Sequence, residues 1–180
     1  MICPAIGGGR SWNHASYSPR TGLLYQTGIE WCQEVIVEHE DPVPGETFMG
    51  GLFELKPTPS GDQGSHFSAF NPLTGEKKWS YAYKYPLLAS ALATGGDLVF
   101  TGDPEGDFIA FDANNGNKLW TFNTGSGHRG SPVTYAVDGT QYIAVPTGWG
   151  SAVAGILPQI WPETEDFPGG STLFVFALKK

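Results

Sequence analysis

The chain writes one phrase twice. AFNPLTGEKKW at residues 69–79 returns as AFDANNGNKLW at 110–120, displaced by 41 positions, with Ala, Phe, Asn or Asp, Gly, Lys and Trp in the same places. Asn71 and Asp112 can each accept backbone N–H groups across a tight turn, and the Gly four residues on can take a positive φ. A strand carrying the Trp then follows. Repeats of about 40 residues built from short strands mark a propeller blade, because a single blade cannot bury its own faces and must stack on a neighbour. The repeat therefore predicts successive β sheets, with Trp79 and Trp120 as structural wedges between blades. A degenerate third copy is read in YSPRTGLLY at 17–25, where Ser18, Pro19, Thr21 and Gly22 echo Asn71, Pro72, Thr74 and Gly75.

The rest of the chain agrees with an all-β reading. DLVFTG, DFIAFD, KLWTFN, SPVTYAV, QYIAVPT and TLFVFAL are short runs rich in β-branched and aromatic residues, each bounded by Gly, Pro, Asn or Asp. The 25 Gly and 14 Pro make a turn-rich chain, while 40% hydrophobic residues suffice for an ordered core. PLLASALA at 86–93 is the best helix candidate, and its Pro86 and Gly95-Gly96 boundaries equally suit a loop entering a strand. The domain expected is one partial propeller over 1–180, about three blades, with Pro/Gly-rich insertions near 39–66 and 151–170.

Charge excludes one class of partner. A net charge of −8, with Lys77-Lys78 and Lys179-Lys180 as the only basic clusters, leaves no surface for nucleic-acid phosphates. The four His residues have no metal-ligand spacing, and two Cys residues allow one pairing and no four-ligand zinc site. Asp41, Glu46, Asp103 and Asp107 read as solvated loop and turn formers. The first residues, MICPAIGGGR, lack the basic start and apolar centre of a signal peptide.

The duplicated phrase resembles the tryptophan-docking motif of quinoprotein dehydrogenases, eight-bladed propellers that use pyrroloquinoline quinone (PQQ). CPAIGGGRSWNHASYSPRTGLLY, ALATGGDLVFTGDPEGDFIAFDANNGNKLW, GSPVTYAVDGTQYIAVPTGWG and GGSTLFVFAL are similar, in order, to the C-terminal portion of PQQ-dependent alcohol and methanol dehydrogenases. The resemblance implies oxidation of a primary alcohol to an aldehyde by hydride transfer to PQQ. It also implies a Ca²⁺ or lanthanide ion, a cytochrome c or quinone electron acceptor, the remaining propeller blades as partners, and a periplasmic location.

Carried over residue by residue, the resemblance implies that Trp12 approaches the cofactor, with Ser11 where the family has Asn, and that Gly148-Trp149 places an indole near PQQ. A cofactor-facing Trp of methanol dehydrogenases falls near Leu88, a departure. Cys3 and Cys32 match a bridged pair. The family's metal ligands, catalytic Asp and vicinal cysteines lie upstream of the matching segment, so no catalytic or metal-binding residue is expected here. His128-Arg129 precedes a strand on the same side as Trp149 and is a further candidate for contact with quinone or substrate. The alternative reading is a noncatalytic propeller scaffold such as an outer-membrane assembly factor, which shares docking repeats but has no use for the GGRSW and PTGWGS segments.

Overall fold

A computed structural model describes residues 1–46, 48–62 and 64–177, so the Lys179-Lys180 pair and the end of TLFVFAL lie outside the described residues. In chain order the strands are β1 (Ser16–Ser18), β2 (Leu23–Glu30), β3 (Cys32–Val37), β4 (Gly51–Lys56), β5 (Gly64–Phe70), β6 (Lys77–Tyr83), β7 (Leu92–Ala93), β8 (Leu98–Gly102), β9 (Asp107–Asp112), β10 (Lys118–Asn123), β11 (Val133–Val137), β12 (Thr140–Thr147) and β13 (Thr172–Ala177). They form two four-stranded sheets, β1-β2-β5-β6 and β7-β8-β9-β10, a three-stranded sheet β11-β12-β13, and a two-stranded ribbon β3-β4, all antiparallel. The fold is all-β and consists of β-propeller blades.

Strand β9 shows why the sheets must stack. Its Ile109 and Phe111 join a core with Tyr25, Phe67, Trp79 and Val99, whereas Phe108 and Ala110 join a second core with Phe100 and Val145. Side chains alternate across a strand, so one sheet is packed on both faces, the first sheet on one side and the third on the other. No hydrophobic/polar alternation survives in such a strand, which explains the continuous apolar run FIAF.

The duplicated phrase builds the same hairpin twice. In the first copy Gly75 N–H donates to Asn71 O at 2.8 Å and Leu73 N–H to Asn71 Oδ1 at 2.9 Å; in the second, Gly116 N–H donates to Asp112 O at 2.9 Å and Asn114 N–H to Asp112 Oδ1 at 2.8 Å. Gly75 and Gly116 both sit at φ 75°. Ala69 pairs with Trp79 and Ala110 with Trp120, and both pairings shift register beside the turn. Trp79 is buried and Trp120 is 40% exposed. The third copy differs in place: Gly22 N–H donates to Ser18 O at 2.9 Å, but this turn joins β1 to β2. Turn chemistry is local and does not specify which strands of a blade it connects.

One of the two readings of PLLASALA holds, the loop entering a strand, and one element was not anticipated. Residues 86–91 are irregular and lead into β7, whereas a short helix α1 (Ser151–Ile156) follows Trp149, continued by 3₁₀ turns at Leu157–Gln159 and Pro162–Asp166. With Gly150 at its N-cap and no side-chain cap, α1 has none of the usual start signals. Leu157 and Trp161 tie it to a third core with Ala5, Ile29, Trp31, Leu55, Tyr85 and Leu88. Among the described residues no helix is long and apolar enough to cross a membrane.

Candidate cofactor groove

Three loops converge beside the third sheet. The loop before β1 carries Trp12, the loop before β11 carries Arg129, and the loop after β12 carries Gly148-Trp149-Gly150. Between them lies an open groove of about 500 Å³, completed by Gly130, Ser151 and Ser171. The structure thus brings Trp12 together with the adjacent pair Gly148-Trp149, which lies far from it in sequence.

Each loop is held from behind. Asn13, next to Trp12 and itself 4% exposed, donates to Thr27 Oγ1 and, at 3.0 Å, to Ala89 O. His14 N–H donates to Ser90 Oγ at 2.9 Å, so the loop is stitched to the 86–91 segment. Sequence reasoning missed Asn13; a polar residue directly after an exposed Trp was its only signal. Trp12 itself is 70% exposed and can present its indole to a ligand. Trp149 packs across Gly127, where an added Cβ would lie 2.7 Å from the indole, and its ring centroid is 6.0 Å from that of Phe167. Gly148 N–H donates to Gly127 O at 2.9 Å. The indole is thereby fixed on one side and open to the groove on the other.

Ser11 does not line the groove. Its hydroxyl is enclosed and finds no hydrogen-bond partner among the described residues. Leu88, at the place of a cofactor-facing Trp, is 2% exposed and packs in the third core, so it contributes hydrophobic support in place of a groove wall. Trp31 and Trp161 are buried in that same core, and the Trp31 indole donates to Gly8 O at 2.9 Å.

His128 and Arg129 part company. The Arg129 guanidinium lies over the Trp12 ring, 5.1 Å from its centroid, and donates from Nη1 to Gly150 O at 2.8 Å. His128 is 1% exposed and turned inward, its Nε2 3.2 Å from Gly106 O and 3.1 Å from Thr124 Oγ1. Burial lowers its pKa. Its place against Gly102 and Phe108 makes it a core residue, so it does not contact a ligand in the groove.

Asp103 also departs from expectation. It is 2% exposed, accepts the Asp107 N–H at 2.9 Å, and burial pushes its carboxyl up to about 6. The sequence GDPEGD reads as a solvated turn, but the 126–128 segment folds over it: His128 N–H donates to Asp103 O at 2.9 Å. Asp107 and Asp41 conform better, the latter 90% exposed. A smaller hollow of about 230 Å³ beside Tyr17, Arg20 and Thr94 holds no comparable set of groups, and Arg20 there is paired with Asp97.

The family model for PQQ, described as the glucose/ethanol/alcohol dehydrogenase β-propeller domain, matches residues 82–143. The quinoprotein alcohol dehydrogenase PedH of Pseudomonas putida is 38% identical over 180 residues, covering all of this chain and 30% of that protein. The 1-butanol dehydrogenase (quinone) of Thauera butanivorans is 35% identical over 183 residues, covering 100% of this chain and 29% of the relative. By sequence the chain belongs to the quinoprotein alcohol dehydrogenase family. A solved structure of a europium-containing methanol dehydrogenase matches with a TM-score of 0.86, at 29% identity over 98% of this chain and 34% of that one. The quinoprotein segment seen here therefore spans under a third of the length of the two relatives, matching their C-terminal portion.

The disulfide expected from the resemblance is present. Cys3 and Cys32, 29 residues apart, are bonded, with Cα atoms 4.4 Å apart. It closes the loop that contains Trp12 onto the start of β3.

The groove suits a flat, anionic quinone: among the described residues two indoles, one cation and no carboxylate line it. It does not suit a Ca²⁺ or lanthanide ion. Its lining offers no acidic oxygen, and among the described residues no three His, Cys, Asp or Glu side chains cluster as ligands.

Proposed function

We propose that this chain is part of the propeller of a PQQ-dependent alcohol dehydrogenase and supplies one portion of its cofactor wall. On this reading residues 1–180 form a single partial propeller of about three blades, with insertions near 39–66 and 151–170. The observation that carries it is the convergence of Trp12 and Trp149 on one open groove whose only charged lining residue, among the described residues, is Arg129.

Trp149 offers a rigid aromatic face, held by Gly127 and Phe167, on which a planar quinone can stack. Trp12 offers a second. Ser11, with its unpartnered hydroxyl, supplies a hydrogen bond only if the loop turns toward the ligand. When bound, PQQ supplies the oxidant that accepts hydride from a primary alcohol. The Lewis-acid ion and the base that takes the alcohol proton belong to parts of the enzyme beyond this segment, as do the contacts to a cytochrome c or quinone acceptor. A periplasmic location accords with the Cys3–Cys32 disulfide, since such bonds persist in oxidising compartments.

The test is equilibrium dialysis of the chain against PQQ, paired with dye reduction in the presence of Ca²⁺ or a lanthanide and a primary alcohol. The expected result is binding that weakens in Trp149→Ala, with dye reduction no faster than by free PQQ. Absence of PQQ binding would remove the cofactor-wall reading, and metal-dependent turnover by the chain would overturn the assignment of catalytic groups to other blades.

A further inference from the structure

Arg129 is a cation without a counter-charge. Among the described residues it forms no salt bridge, and one hydrogen bond, to Gly150 O, uses a single one of its five N–H groups. The chain carries a net charge of −8, yet among the described residues no carboxylate lines the groove in which this guanidinium sits. Burial lowers its pKa, the sign of a charge that has lost water without gaining an anion.

The guanidinium also joins two walls that share no strand. It covers one face of the Trp12 indole at 5.1 Å and grips the carbonyl of Gly150, the residue after Trp149. Its backbone is fixed from below, because the neighbouring His128 is buried and bonded through its N–H to Asp103 O. Gly130, on its other side, accepts the Ser90 N–H at 3.4 Å and has the Pro146 ring where a Cβ would stand. A long side chain rooted in so constrained a segment has little freedom to seek a partner elsewhere, so the missing anion has to come to it.

We propose that Arg129 is the anion-recognition group of the groove, a strut between Trp12 and Gly150 that is completed by a carboxylate of a planar aromatic ligand. The ligand class is a fused-ring aromatic carrying at least one carboxylate at its edge. The planar part packs on the free face of Trp149 or Trp12, and the carboxylate takes the uncommitted N–H groups of Arg129. A guanidinium presents paired donors that match the two oxygens of a carboxylate, which Lys cannot reproduce. This inference rests on the proposed cofactor reading of the groove and adds to it the residue that reads the ligand's charge.

The experiment compares PQQ with its trimethyl ester, which keeps the ring and removes every negative charge. Dissociation constants of both are measured by equilibrium dialysis for the wild-type chain, Arg129→Gln and Arg129→Lys, after circular dichroism has shown that the variants keep the native spectrum. The wild type is expected to bind PQQ roughly tenfold more tightly than the ester, as for one charge-assisted pair. Arg129→Gln is expected to bind the two alike, and Arg129→Lys to recover part of the preference. A wild type that does not discriminate, or an Arg129→Gln variant that discriminates as well as the wild type, overturns the role of Arg129 while leaving the groove reading intact. Failure of the wild type to bind either compound removes both.

Discussion

The Trp79 indole lies flat against Gly116, in the turn of the next hairpin along the chain. A Cβ built on Gly116 would stand 2.6 Å from the ring, and the indole N–H donates to Ala113 O at 3.0 Å, an acceptor shared with the Tyr25 hydroxyl. One blade's Trp thus reads the other blade's turn.

Gly116→Ala should therefore destabilise the chain twice over, by collision with the indole and by placing a Cβ at φ 75°. A cost of about 1 to 3 kcal/mol is expected for the backbone strain alone. Gly75→Ala, at the same φ but with nothing within 4 Å, separates the contributions. Urea denaturation of both variants measures the difference, and equal losses would show that the indole contact contributes nothing.

Joining residues 29 apart, the Cys3–Cys32 bond constrains the unfolded chain. In the chain-entropy account this is worth roughly 3 to 4 kcal/mol, so the double Ser variant should unfold at lower denaturant by that amount. Thiol titration of the unfolded, unreduced protein should find no free thiol.

Asp103 predicts a pH dependence of definite sign. Its folded-state pKa, about 6 through burial, lies above the ordinary value of 3.8, so the folded state holds the proton more tightly than the unfolded one. The carboxyl opposes folding progressively as pH rises from about 4 to about 6, by on the order of 3 kcal/mol, and imposes its whole cost above that. His128, lowered by burial, acts in the opposite sense: its contribution is intact above the ordinary imidazole pKa and is lost on acidification. Asp103→Asn should remove the decline between pH 4 and 6 and leave stability rising with pH through that window. Chemical denaturation at a series of pH values reads the slope directly, and an unchanged slope would mean that Asp103 is hydrated.

Trp149→Ala should weaken PQQ binding by more than lost area alone, by about 0.5 to 1.5 kcal/mol for the stacking geometry. Trp161→Ala, in the core behind it, should instead lower stability by about 3 to 5 kcal/mol. Dialysis and urea titration of both variants distinguish a ligand face from a packing residue.

The hairpins of the second sheet were legible because Asp112, Gly116 and Trp120 repeat a local chemistry, and local chemistry is what a sequence displays. The convergence of Trp12 with Trp149 was legible only through the resemblance, because nothing in either segment names the other. Asp103 was misread for the same reason. Its burial comes from the 126–128 segment, which contributes no signal near residue 103. Helix α1 escaped notice because six residues without a cap show no period long enough to count.

Both docking hairpins shift register beside the turn, between Phe70 and Ala69 in one and between Lys118 and Trp120 in the other. With this irregularity in place each Trp stands opposite an Ala. Side chains in a strand change sides with every residue, so one inserted or deleted residue between Gly116 and Trp120 would turn the indole away from its neighbour. The variable sites of the phrase tolerate new letters, but its length is fixed: this is a motif in which a frame-preserving indel does more harm than several substitutions.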